Sequence, residues 1–147
     1  MSLMDTLSVS ASGMHAQRLR LQALAENLAN AETTRTPEGG PYRRKDVVFE
    51  TSPLEPGSFA DQFSTAMDSY SIGVSARQIR DEEQALELRY QPGHPDADDQ
   101  GYVAYPRISP AEEMVNLQST ARSYEANIAV MTATKDMVRR SLELFRA

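Results

Sequence analysis

The sequence contains no cysteine, which removes disulfides, thiolate metal ligands and cysteine nucleophiles together and leaves the redox compartment open. It has only two histidines, His15 and His94, and no recognisable base-and-nucleophile signature surrounds either. No run approaches the ~18 apolar residues of a spanning helix. The start, Met1-Ser2-Leu3-Met4-Asp5-Thr6, lacks a basic stretch followed by an apolar one, so no cleaved secretory signal is expected. Basic surface is scarce too. The net charge is −6, and Arg43-Arg44-Lys45 is the one basic cluster, which argues against nucleic acid as a partner. No low-complexity tract or internal repeat is present.

What remains is a soluble-type composition, 40% hydrophobic and 24% charged over 147 residues, enough for one domain. Its two ends carry heptad patterns. Near the N-terminus, Leu3, Leu7, Ser10, Met14, Gln17, Leu21, Leu24, Leu28 and Ala31 step by alternating threes and fours. Toward the C-terminus, Met114, Leu117, Ala121, Tyr124, Ile128, Met131, Lys135, Val138, Leu142 and Phe145 do the same. Ser109, Pro110 and Glu112 supply a cap, a first-turn proline and a capping box for the second helix. These patterns predict two long helices packed as an antiparallel, coiled-coil-like pair.

Seven of the eight prolines fall between Thr33 and Pro106, where short alternating runs replace the heptads. Strands are expected over 42–50, 72–80 and 86–90, with Asp81 to Gln84 turning the second into the third and residues 51–71 forming a mobile loop. The predicted fold class is therefore α+β, in three parts: an N-terminal helix over 1–33, a β-rich middle over 34–106 and a C-terminal helix over 107–147.

The C-terminal helix is apolar on two sides. Ala126, Val130, Ala133, Met137 and Leu144 centre about 170° from the main seam at 100° per residue. One antiparallel partner covers a single face, so the second stripe requires either the middle segment folded over it or another subunit. The first helix repeats this weakly, with Val9, Ala16, Leu19 and Ala23 opposite its seam. The residues expected to pack subunits together are Leu3, Leu7, Met14, Leu21, Leu24, Leu28, Met114, Leu117, Tyr124, Ile128, Val130, Met131, Met137, Val138, Leu142, Leu144 and Phe145. Two such helices are expected to complete their folding only in an assembly.

Candidate chemistry is sparse. Asp96-Ala97-Asp98-Asp99-Gln100-Gly101 resembles the start of a calcium loop, but the twelfth position is Arg107 and supplies no bidentate carboxylate. A weaker ion site from His94 and these aspartates is the alternative to a solvated acidic turn. Gly39-Gly40 precedes Pro41 and no helix, unlike a phosphate cradle. No catalytic, cofactor-binding or metal-binding residue is assigned, no cofactor is expected, and no enzyme activity is expected.

Two groups of residues carry a family resemblance. Ser10-Ala11-Ser12-Gly13-Met14, Ala16-Gln17 and Glu26-Asn27-Leu28-Ala29-Asn30-Ala31 resemble the N-terminal signature of bacterial flagellar rod and hook proteins. Tyr42 to Glu50, Pro92-Gly93-His94-Pro95-Asp96-Ala97-Asp98, Gly101 to Pro106, Glu113-Met114 and Ser123-Tyr124-Glu125-Ala126-Asn127 are similar to the proximal-rod members of that family. Arg107-Ile108-Ser109-Pro110 departs from the family pattern. The resemblance implies a non-enzymatic structural subunit of the basal-body rod, partnered by copies of itself, by other rod proteins and by the flagellar type III export apparatus. Nucleic acid, a membrane span and a small-molecule substrate are not implied. It places the chain in the rod within the periplasmic space, exported without a cleaved signal peptide. The competing reading is a small ion-binding or peripheral coiled-coil interaction module.

Overall fold

The computed structural model describes residues 3–53, 72–80 and 86–144. Among these described residues two helices and two small sheets form, in the order α1 (Leu3–Ala29), β1 (Lys45–Pro53), β2 (Ile72–Arg80), β3 (Glu87–Tyr90), β4 (Tyr102–Tyr105) and α2 (Pro110–Leu144). At 1.5 Å per residue the helices are about 40 and 53 Å long. Contacts divide the chain into two units, one of Met1–Leu19, Phe49–Arg77 and Ala121–Ala147, the other of Arg20–Val48 and Gln78–Thr120.

In the first unit α1 and α2 run antiparallel. Gly13 faces Asn127, whose Nδ2 lies 3.3 Å from where a Cβ on residue 13 would stand. Further along α1, Met14, His15 and Arg18 share a cleft with Tyr124, earlier on α2. The missing side chain at Gly13 is what lets the backbone come this near. Ser12 ties the sheet to α1, accepting the Val74 N–H at 3.1 Å while donating to the Val9 carbonyl.

The second unit is organised around Asn27, which is fully buried. Its amide donates to the Lys45 carbonyl at 2.9 Å and accepts the Lys45 N–H at 2.9 Å. One side chain thus satisfies both backbone groups of the first strand residue, as a neighbouring strand would. The Tyr42 hydroxyl donates to the same Asn27 oxygen at 3.1 Å. Ala23, Leu24, Val103 and Tyr105 supply the buried apolar side chains of this unit.

β3 and β4 pair antiparallel with Leu88 opposite Ala104 and Tyr90 opposite Tyr102. Their connection is closed by Asp98, whose Oδ1 accepts the N–H groups of Gln100 and Tyr102 at 2.9 and 2.8 Å. Gly101 has φ +81° and sits where a Cβ would meet the Tyr90 ring at 2.9 Å, so the position excludes larger residues.

Four differences from the sequence-based expectation have physical reasons. β1 begins at Lys45, because Tyr42 is held in the turn by its N–H bond to the Thr33 carbonyl. It continues through Pro53, three residues into the segment expected as a loop. β4 was not anticipated, since Tyr-Val-Ala-Tyr is too short to show a period. The strand partners also differ, for β2 pairs with β1 and β3 with β4, where a β2–β3 turn had been expected. The 81–84 turn itself and residues 54–71 of the expected loop lie outside the described residues.

Candidate functional site

The candidate site is the pair of helix faces, so the first question is which face each helix uses within its own chain. On α2 one covered ridge, with Asn116 and Ala121 half-buried beside it, runs through Glu113, Leu117, Thr120, Tyr124, Asn127, Met131, Thr134 and Val138, all buried or half-buried. These too step by fours and threes. Four of them, Leu117, Tyr124, Met131 and Val138, belong to the predicted seam. The others lie one residue before the predicted positions, so Glu113, Asn127 and Thr134 are covered in place of Met114, Ile128 and Lys135, and Thr120 is buried beside a half-buried Ala121. The helix is turned about 50° from expectation.

Polar residues can occupy this ridge because the helix satisfies them itself. Thr120 Oγ1 donates to the Asn116 carbonyl at 2.7 Å, and Thr134 Oγ1 to the Val130 carbonyl at 2.9 Å. Each hydroxyl is bonded within its own helix. Glu113 is held differently. Its Oε1 accepts from Arg44 Nε and Nη2 at 3.0 and 2.9 Å, and its side chain is almost wholly buried. Removing Arg44 would strand that charge, since the other oxygen, Oε2, has no hydrogen-bond partner. Glu113 is in the first turn of α2, where the helix dipole favours a negative charge. The expected cap is also present, with Ser109 Oγ accepting the Glu112 N–H at 3.5 Å.

On α1 the deepest positions are Ser10, Ala16, Ala23, Leu24 and Asn27. Of the predicted α1 residues, Leu24 is buried and Leu7, Met14, Leu21 and Leu28 are half-buried. Small residues thus lie inward where leucines had been expected, and Ala16 and Ala23 of the weaker stripe are more deeply covered than the main seam. The side chains of Leu3 and Phe145 lie outside the described residues.

The result is a long apolar surface left in solvent on α2. Met114, Ile128 and Leu142 are exposed along one line, and Val130, Met137 and Leu144 along another, with Met137 54% and Leu144 80% exposed. Ala126 and Ala133, also exposed, extend the second line. Sequence periodicity alone missed the inward role of Glu113, Thr120, Asn127 and Thr134. Their own heptad spacing was the available signal, masked by their polarity.

Charged groups near α1 are arranged to hold structure. Lys45 Nζ meets Glu26 Oε2, and hydrogen bonds from Lys45 and Gln22 hold the Glu26 carboxyl below its usual range. In the acidic turn, Asp96 Oδ2 accepts from Thr34 Oγ1 at 2.8 Å, and its Oδ1 lies 3.6 Å from Arg35. His94 Nδ1 accepts the Asp96 N–H at 3.1 Å. Among the described residues no three His, Asp or Glu side chains converge as a metal site, and no helix is long and apolar enough to cross a membrane.

Two family profiles match the chain, and they fall on the two helices. "Flagella basal body rod protein" covers residues 7–35, and "Flagellar basal body rod FlgEFG protein C-terminal" covers 99–144. Both describe flagellar basal-body rod proteins as a class. Within it, the chain is 37% identical to the flagellar basal-body rod protein FlgC of Borreliella burgdorferi over 99% of each chain. It is 38% identical to the FlgC of Bacillus subtilis, over 98% of this chain and 99% of that one. With FlgC of Salmonella typhimurium the identity is 37% over 98% of each. The chain belongs to the FlgC family of flagellar basal-body rod proteins.

Proposed function

We propose that the chain is a structural subunit of the proximal part of the flagellar rod, joined to copies of itself and to other rod proteins through its terminal helices, and that it transmits torque. The observation that carries this reading is the exposed apolar surface of α2, which lies within the segment matched to the rod-protein C-terminal family. Exposed apolar area of this extent costs free energy in a monomer and is recovered on burial at about 25 cal/mol per Å². The terminal segments over 1–33 and 107–147 form the assembly parts, and residues 34–106 act as a spacer and contact module.

The same reading implies passage through the flagellar type III export apparatus without a cleaved signal peptide, and a final place in the periplasmic space. A helix pair with few buried apolar side chains suits a route that demands an unfolded chain. Ion binding has less support, because His94, Asp96 and Asp98 are already engaged in closing loops. The test is to delete the gene in the source bacterium and purify basal bodies from cells carrying a tagged copy. The proposal expects loss of motility on deletion, its return with the tagged copy, and the tag in the rod fraction. Motile deleted cells, or a tag confined to the cytoplasm, would refute it.

A further inference from the structure

The β3–β4 hairpin has an apolar face that the helices do not use. Val103 and Tyr105 point into the second unit and are buried. On the opposite face Leu88 and Tyr90 are 64% and 65% exposed, with Tyr102 beside them. Register and packing make these one surface: Tyr90 stands opposite Tyr102, with ring centroids 5.4 Å apart in an edge-on arrangement. Two tyrosines and a leucine present about 300 Å² of contact area, within the range of functional patches. Beyond the strands, the connection carries the exposed acids Asp98 and Asp99. Asp98 is fixed by its N–H partners, so the acidic tip is rigidly placed beside the apolar face.

The second stripe of α2 has the complementary character. From Ala121 to Leu144, the charged residues within about 50° of the centre of the Ala126, Val130, Ala133, Met137 and Leu144 line are Arg122 and Arg140, both on the same side of it. Both are exposed. The acids on this stretch, Glu125, Asp136 and Glu143, stand farther off on that side, about 90–110° around the helix, and Glu143 is paired with Arg139 at 3.4 Å. An apolar face with an acidic tip therefore complements an apolar stripe bordered along one side by arginines. The geometry points to a heterologous contact in which the β3–β4 hairpin of one copy docks on the C-terminal half of α2 in a second copy. Such head-to-tail contacts between unlike surfaces propagate into open helical assemblies. The inference rests on the rod reading and specifies one of its interfaces.

Because the chain has no cysteine, paired single substitutions report on this contact cleanly. Leu88→Cys is placed in one tagged copy and Met137→Cys in a differently tagged copy, and both are expressed together in the source bacterium. Basal bodies are then treated with a short bis-maleimide linker. The inference expects a covalent dimer carrying both tags, and no dimer when either variant is expressed alone. Arg140→Glu in the Met137→Cys copy should lower the yield about tenfold by setting like charges together, and Asp99→Lys in the other copy should restore it. Both copies present in the basal-body fraction without a mixed dimer would overturn this contact and leave the rod reading standing. A yield insensitive to the charge exchange would overturn the pairing of these two surfaces. Absence of both copies from that fraction would remove the rod reading and this inference together.

Discussion

Asn27 shows how much of the second unit depends on one side chain. Its amide serves both backbone groups of Lys45 from a fully buried position. Asn27→Ala should destabilise the free chain by about 3 kcal/mol, the scale of leaving buried backbone groups unpaired, as read by chemical denaturation. A loss within experimental error would show that Lys45 finds other partners. Beside it, the Glu26 carboxyl is held below its ordinary value of 4.5, chiefly by its hydrogen bond to Lys45. A carboxyl lowered in the folded state stabilises above its unfolded value and loses that contribution as pH falls through the folded one. The pair is partly solvated, so its share is about 0.5 kcal/mol. Glu26→Gln should therefore be slightly less stable than the parent at neutral pH and equal to it well below pH 4.5. A difference that persists in acid would assign the effect to packing.

At the scale of elements, α2 shows both what periodicity reveals and what it hides. Leu117, Tyr124, Met131 and Val138 were legible because apolar residues at heptad spacing have one plausible use. Glu113, Thr120, Asn127 and Thr134 were not. A sequence does not display that a threonine will bond its own helix, or that Arg44, distant in the chain, will neutralise Glu113. The second stripe, in contrast, was visible as a surplus of apolar residues that one partner helix cannot cover. Met137→Asp and Leu144→Asp change exposed positions. They should leave the circular dichroism of the free chain unchanged while abolishing motility, because a charge buried in a subunit contact is costly. Arg139→Ala should retain motility. Equal motility in all three variants would remove the stripe from the assembly surface. The hairpin strand β4 illustrates a third situation, in which four residues carry too little pattern to be read before their partner is known.

At the scale of the whole chain, the distribution of buried side chains is uneven. Around Asn27, buried apolar groups, an ion pair and a backbone-mimicking amide act together. Along α2 beyond Ala121, Thr134 is the one described residue in the buried class. Residue-resolved hydrogen exchange on the free chain should find strong protection over Arg20 to Ala29 and Tyr102 to Thr120, and weak protection over Ile128 to Leu144. Uniform strong protection of α2 would show that the helix needs no assembly to be stable. In the proposed rod, the Val130, Met137 and Leu144 line is open to solvent in the free subunit and closed in the assembly. The most direct test is the maleimide labelling rate of Met137→Cys and Leu144→Cys, measured on the free chain and on purified basal bodies, with a copy carrying Thr51→Cys, exposed and outside both contact surfaces, as reference. Both α2 positions should label rapidly in the free chain and be almost fully protected in basal bodies, relative to the reference. Equal rates in the two states would contradict that closure.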